Sequence, residues 1–109
     1  MQRYGRVLKL RVGAEADYVR LHAAVWPEVL AAIRDSGIQK YSIFRYHQWL
    51  FAYIEIPDGA SLESIGIFLA SQPACIKWET LMHGFQEALP ESGKDNWWVP
   101  MNEIFVLPN

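Results

Sequence analysis

The fold is indicated by the segment from residue 8 to residue 33, which reads LKLRVGAEADYVRLHAAVWPEVLAAI. Apolar residues alternate with charged ones at Leu8, Leu10 and Val12, the pattern of a strand with one buried face. After Gly13 the apolar spacing changes to three and four residues, which is typical of an amphipathic helix. The residues at this helical spacing are Tyr18, Leu21, His22, Val25, Val29, Leu30 and Ile33. A strand over Tyr4–Val12 followed by a helical region is therefore predicted.

Proline divides the helical region. Pro27 lacks an N–H and cannot donate to the preceding turn, so the helix should break or kink before it, with Pro27 in the first turn of a second segment. Trp26 then lies at the joint, and Gly37 is the predicted terminator. The other predicted elements are strands at 39–46 and 49–56 forming a hairpin around His47-Gln48, a helical region at 61–88 broken before Pro73, a loop at 89–100 and a last strand at Met101–Leu107.

This order predicts an α+β fold of the ferredoxin-like βαββαβ type, as one domain spanning residues 1–109. Its four-stranded antiparallel sheet would carry both helical regions on one face. The strands are rich in apolar and aromatic residues on both faces, so the open face would expose a large apolar patch. We therefore expect a symmetric homodimer that buries this face, as in a dimeric α/β-barrel.

Charge and cysteine content narrow the classes of partner. The 109 residues carry a formal charge of −2 with acidic and basic residues interspersed, which argues against a nucleic-acid partner. No apolar stretch reaches the length of a membrane span, and no leader segment is apparent. The single cysteine, Cys75, cannot form an internal disulfide and fits a reducing compartment. A cytoplasmic protein with a small uncharged ligand is expected.

Tyr18, His22 and Trp26 are four residues apart and share one helix face. Spacing alone favours a core face with satisfied hydrogen bonds, although the same residues could line a pocket with a phenol, an imidazole and an indole. His47 in the predicted turn and His83 on the second helical region are more simply structural. The three histidines and one cysteine show no metal-ligand spacing, so no metal is expected.

Several motifs occur in the order and spacing of a known family. They are Tyr18-x-x-x-His22-x-x-x-Trp26-Pro27-Glu28, Tyr41-Ser42-Ile43, Leu50-Phe51-Ala52, Cys75-x-x-Trp78-x-x-x-Met82 and Glu103-x-Phe105-x-Leu107-Pro108. Together they cover nearly the whole chain, and on them the sequence resembles the L-rhamnose mutarotase family. The resemblance implies a cofactor-free enzyme that interconverts the α and β anomers of L-rhamnose, built as a dimer of ferredoxin-like subunits.

The resemblance also implies roles for individual residues. His22 matches the family's proton donor, and Tyr18, Tyr41 and Trp78 match substrate-binding positions. Glu79 follows Trp78 where the family often has a second tryptophan, so we count Glu79 among the substrate-binding residues. The loop Asp95-Asn96-Trp97-Trp98-Val99-Pro100 differs as well, and Trp97 and Trp98 could line either the pocket or the dimer interface. These departures make L-fucose the second candidate sugar after L-rhamnose.

The chemistry of mutarotation suits these residues. One proton must reach the ring oxygen and another must leave the anomeric hydroxyl, and a histidine with a pKa near 6.5 can serve as acid or base. The second proton-transfer group stays unassigned, with Glu28, Glu103 or a bound water as candidates. Two other functions remain open: a cofactor-free oxygenase of the same fold, by fold analogy alone, and a non-catalytic small-molecule sensor.

Overall fold

The computed structural model describes all residues 1–109 as nine elements. They are β1 (Gln2–Leu10), α1 (Glu15–His22), α2 (Pro27–Asp35), β2 (Lys40–Tyr46), β3 (Trp49–Ile56), α3 (Leu62–Ala70), α4 (Pro73–His83), β4 (Gln86–Glu87) and β5 (Val99–Met101). The strands form one antiparallel sheet in the order β2-β3-β1-β4, and β5 also pairs with β1. The predicted α+β, ferredoxin-like arrangement is confirmed, with its last strand divided into two short pieces.

The long pairing of β1 with β3 forms the centre of the sheet. Leu8 lies opposite Leu50, and the alternate residues of both strands point to the same face. On β3 that face consists of Leu50, Ala52, Ile54 and Ile56, all buried. Val29 of α2, Ile65 of α3 and Trp78 of α4 are buried in the same hydrophobic clusters as these strand residues. The helices therefore cover one face of the sheet, as the predicted ferredoxin-like order of elements implied.

Both predicted proline breaks are confirmed. α2 begins at Pro27 after an extended Trp26 (φ −55°, ψ 135°), and α4 begins at Pro73 after an extended Gln72 (φ −87°, ψ 121°). In each case proline occupies the first helical turn, where its missing N–H leaves no hydrogen bond unmade. The first strand, predicted over Tyr4–Val12, is found over Gln2–Leu10, two residues earlier at each end. It ends at Leu10 because the chain turns at 11–14, which leaves Val12 88% exposed.

The predicted helical region 61–88 is wrong at its end. Helix α4 stops at His83, and Gln86 pairs with Leu10 as part of β4. The Arg11 N–H also donates to the Phe85 carbonyl at 2.9 Å. The edge of β1 thus offers unpaired backbone groups to this segment, and pairing there outweighs one more turn of helix.

The predicted last strand, Met101–Leu107, is also wrong. The strand is Val99–Met101, and residues 102–109 carry no regular structure. Met101 pairs with Gly5, so the same register would bring Ile104 opposite Gln2, where β1 begins. Residues beyond Ile104 therefore have no strand to pair with in this chain. Ile104 is 95% exposed despite the strand-like apolar pattern around it.

The second face of the sheet is uncovered in the single chain. It carries the alternate residues of the strands, including the exposed Phe44, Tyr46, Trp49 and Met101. Phe44 is 63% exposed. The apolar character predicted for this face is confirmed, while the homodimer that would bury it stays a prediction. None of the helices has the length and apolar content needed to cross a membrane.

Replacing Ile54 by alanine should destabilise the fold without touching the cavity described below. Ile54 is fully buried between sheet and helices. We expect Ile54→Ala to lower the free energy of unfolding by about 2–5 kcal/mol, because it leaves a void in a packed core. Urea titration followed by circular dichroism measures the change. The matched control is Val12→Ala at an exposed position, with an expected change within about 0.5 kcal/mol. Equal effects of the two substitutions would contradict this packing.

Candidate active site

A cavity of about 540 Å³ opens between the helices and the covered face of the sheet. Its size lies in the range of small-molecule pockets, and most of its lining is apolar with a few polar groups. All five residues predicted from the sequence line it, namely Tyr18, His22, Tyr41, Trp78 and Glu79. They come from α1, β2 and α4, so the fold brings together side chains that are far apart in the chain.

Helix α1 fixes the orientation of His22. Its Nδ1 lies 2.8 Å from the carbonyl oxygen of Tyr18, one turn earlier, so the Nδ1–H donates to that oxygen. The Tyr18 and His22 rings also pack together with centroids 4.1 Å apart. This hydrogen bond selects the tautomer in which Nε2 carries the lone pair. His22 therefore presents one unprotonated nitrogen for chemistry.

Burial sets the protonation of the imidazole and the phenols. It lowers the pKa of His22 below 6.5, although the hydrogen bond to the Tyr18 carbonyl opposes the shift. Burial also raises the pKa of Tyr18 and, through desolvation of its hydroxyl group, the pKa of Tyr41. At neutral pH the imidazole is thus mainly neutral and both phenols keep their protons.

Trp78 forms the apolar wall beside His22. Its indole meets the His22 ring edge-on, with centroids 5.5 Å apart, and meets Trp26 edge-on at 5.0 Å. Trp26 does not line the cavity but packs behind Trp78 at the joint between α1 and α2. The helix face predicted from spacing therefore divides: Tyr18 and His22 reach the cavity, and Trp26 supports its wall.

Glu79 stands next to Trp78 on the cavity wall. Its Oε1 lies 3.1 Å from Nε2 of His83, one turn further along α4. The His83 ring is stacked on Trp97, with centroids 3.8 Å apart and planes 7° apart. Burial raises the pKa of Glu79, and the nearby His83 and Arg6 oppose this shift. Glu79 is therefore a half-exposed carboxyl within ion-pair distance of a histidine.

The two loop tryptophans have different environments. Trp98 is buried and lines the cavity, whereas Trp97 does not line it and packs on His83. The sequence left open whether Trp97 and Trp98 line the pocket or the dimer interface. In this chain Trp98 is part of the pocket wall.

Arg6 and Gln86 are polar residues of the site region that the sequence did not identify. Gln86 is 1% exposed and lines the cavity, and its Oε1 has no hydrogen-bond partner. Nε of Arg6 is also buried without a partner, and the Arg6 charge acts on Tyr41 and Glu79. Arg6 shares the strand face of Leu8, which is a signal present in the sequence. Gln86 gave no signal, because it fell in a predicted helix.

Other candidates named from the sequence lie outside the cavity. Glu28 is exposed on α2, and Glu103 forms an ion pair with Arg3 at 3.2 Å on the open side of the sheet. His47 occupies the β2–β3 turn with a positive φ of 53°. The chain brings no group of three or more His, Cys, Asp or Glu side chains together in the manner of metal ligands.

Comparison with known proteins finds a family model and relatives that are named as sugar mutarotases. The family model of L-rhamnose mutarotase matches residues 3–107. An L-rhamnose mutarotase from Lactiplantibacillus plantarum is 36% identical over 111 residues, covering 98% of this chain and 99% of the relative. An L-fucose mutarotase from Xanthomonas campestris pv. campestris is 35% identical over 111 residues, covering 98% of this chain and 89% of the relative.

Solved structures share the fold. The L-rhamnose mutarotase of Formosa agariphila matches with a TM-score of 0.77 and 24% identity, over 99% of this chain and 100% of that one. Tetracenomycin F2 cyclase from Streptomyces glaucescens matches with a TM-score of 0.59 and 15% identity, over 99% of this chain and 100% of that one. At these identities the two structures support the fold alone.

The lowered pKa of His22 predicts a titration below 6.5 with the Nδ1–H tautomer at neutral pH. The unfolded chain binds this proton at a higher pH than the folded chain does. The free energy of unfolding should therefore fall as the pH drops from 6.5 to the folded-state pKa of His22. Nitrogen-15 NMR of the imidazoles gives tautomer and pKa, and His22→Gln should remove this part of the pH dependence. A His22 titration above 6.5 would contradict the burial described here.

Proposed function

Because the chain belongs to the L-rhamnose mutarotase family, we propose that it is a cofactor-free mutarotase of free 6-deoxy-L-hexopyranoses. L-rhamnose is the first choice of substrate and L-fucose the second. The family resemblance seen in the sequence motifs is confirmed by the match over residues 3–107. The observation that carries the proposal is the oriented His22, whose free Nε2 belongs to a residue lining a cavity with aromatic walls that is large enough for a monosaccharide.

His22 supplies the proton exchange at the anomeric centre. The ring opens when the anomeric hydroxyl loses its proton and the ring oxygen gains one. Nε2 is an acceptor in the neutral imidazole, and once protonated it is a donor for the reverse step. The same residue thus acts as base on opening and as proton donor on closing. A positioned group of this kind accelerates proton transfer by about 10²–10⁴-fold.

The remaining cavity residues suit sugar binding. Tyr18 and Tyr41 are neutral phenols that can donate or accept a hydrogen bond with sugar hydroxyls. The Trp78 indole offers an apolar surface to a ring face or to the C6 methyl group. Glu79 adds a carboxyl group beside this surface. Apolar surface and hydroxyl partners together match a 6-deoxy sugar, which has one methyl group and several hydroxyls.

The order of the two sugars rests on the relatives. The family model and the Lactiplantibacillus plantarum relative carry the name of L-rhamnose mutarotase, and the Xanthomonas campestris relative carries that of L-fucose mutarotase. The two sugars differ in configuration at C2 and C4, so hydroxyl partners on the cavity wall decide between them. No relative named here supports the oxygenase or the sensor that the sequence left open.

We further propose that the protein works in the cytoplasm as a homodimer. The uncovered sheet face, with Phe44, Tyr46 and Trp49 exposed, supports burial against a second copy. The lone thiol of Cys75 fits a reducing compartment. A small sugar is the expected partner, and no nucleic-acid or membrane partner is proposed.

Exchange between the α and β anomeric protons of L-rhamnose, followed by NMR magnetisation transfer, tests the activity. The wild-type protein should accelerate the exchange, and His22→Ala should remove most of the enhancement, because the proton-transfer group is lost. The matched control is His47→Asn, which keeps a residue suited to positive φ and should exchange like the wild type. Absence of acceleration for both L-rhamnose and L-fucose would refute the mutarotase.

Light scattering after size-exclusion chromatography tests the dimer. The wild type should have twice the 12.6 kDa mass of the chain. Phe44→Asp places a charge in the proposed interface and should give the monomer mass, whereas Ile67→Asp, on an exposed helix position, should stay dimeric. A wild-type mass of one chain would show that the open face is not a dimer interface.

A further inference from the structure

Mutarotation requires two proton transfers, and His22 has one nitrogen free for them. The tyrosines are poor candidates for the second transfer, because burial raises the pKa of both phenols. Glu28 and Glu103 lie outside the cavity. Glu28 is exposed on α2, and Glu103 is paired with Arg3. Glu79 is the one acidic side chain among the residues that line the cavity.

Glu79 lies on the wall of the cavity that His22 also lines. Trp78, the residue before Glu79, also lines this cavity, and its ring lies 5.5 Å from the His22 ring. Oε1 of Glu79 lies 3.1 Å from Nε2 of His83, whose ring is stacked on Trp97. A carboxyl that lines the same cavity as an oriented histidine is a candidate for proton transfer to a bound ligand.

We infer that Glu79 is the second proton-transfer group of the mutarotase reaction, acting together with His22. The inference rests on the proposed function and extends it to a residue that occupies the place of a tryptophan in much of the resembled family. In ring opening, the protonated Glu79 gives its proton to the ring oxygen as the C1–O5 bond breaks. His22 Nε2 takes the proton of the anomeric hydroxyl as the C1 carbonyl forms.

Ring closure reverses both transfers after rotation about C1–C2. The carboxylate of Glu79 takes back the proton of the C5 hydroxyl as its oxygen attacks C1, and the imidazolium of His22 returns its proton to the carbonyl oxygen. Both groups end in their starting states, so no other reactant is needed and charge balances at each step.

The charges around Glu79 agree with this cycle. Burial raises the pKa of its carboxyl and favours the proton-donating form, while Arg6 and His83 stabilise the carboxylate that forms after transfer. The other titratable neighbours that feel its charge are Tyr18, Tyr41 and Cys75. Burial raises the pKa of each of these three groups, so they stay neutral at neutral pH and add no negative charge beside the Glu79 carboxylate.

Anomer exchange of L-rhamnose in Glu79 variants tests the inference. Glu79→Gln keeps the shape and the hydrogen bonding of the side chain but cannot transfer a proton. We expect kcat to fall about 100-fold with KM near the wild-type value. Glu79→Ala should lose kcat similarly and recover part of it when formate is added, since the small carboxylic acid fills the vacated space. Glu63→Gln, an exposed carboxyl of α3, is the matched control and should exchange like the wild type.

Each result decides the question. An unchanged kcat in Glu79→Gln, or a raised KM alone, would overturn the inference and leave Glu79 as a binding residue. A lost kcat that formate does not restore in Glu79→Ala would also overturn it, since the loss would then come from structure. The proposed function fails separately, if the wild type itself does not accelerate exchange. His22→Ala should not be rescued by formate, which separates the two sites.

Discussion

The contact of Trp78 with His22 on one side and Trp26 on the other is the interaction on which the site depends. It joins α4 to the joint between α1 and α2, two regions that meet on the covered face of the sheet. Proline makes the joint possible, because Pro27 ends one helix and begins another and so turns Trp26 toward the indole of Trp78. His22, Trp78 and Glu79 all line one cavity, and Trp26 packs behind the part of its wall that Trp78 forms.

Desolvation connects this packing to chemistry. Burial lowers the pKa of His22 and raises the pKa of Glu79, although His83 and Arg6 oppose the shift of Glu79. A neutral imidazole accepts a proton and a neutral carboxyl donates one. Two groups whose pKa values are displaced in opposite directions are suited to a reaction in which one proton is removed as another is supplied.

The sequence predicted those parts of the fold that follow from local rules. Alternation predicted the buried face of the first strand, and the proline breaks before Pro27 and Pro73 followed from the missing N–H. The end of the second helical region and the position of the last strand could not be predicted in this way, because both depend on pairing with β1, which is distant in the chain. Gln86 joins the edge of β1 although its neighbours read as helix, and Ile104 lies past the residues that β1 can pair.

The candidate site shows the same division. The resemblance to a family implied functional roles for Tyr18, His22, Tyr41 and Trp78, and all four residues line the cavity. Spacing alone favoured a core face, since a buried aromatic and a cavity-lining aromatic have the same periodicity. The environment of Glu79 depends on His83, Trp97 and Arg6, which come from a helix, a loop and a strand. Such a contact set is visible only after the chain has folded.

A crystal structure of the protein with L-rhamnose measures the central claim most directly. We expect the sugar to occupy the cavity beside Trp78, with its anomeric oxygen about 2.6–3.2 Å from His22 Nε2 and its ring oxygen at a similar distance from the Glu79 carboxyl. A sugar bound away from His22, or bound with its anomeric centre facing solvent, would contradict the account.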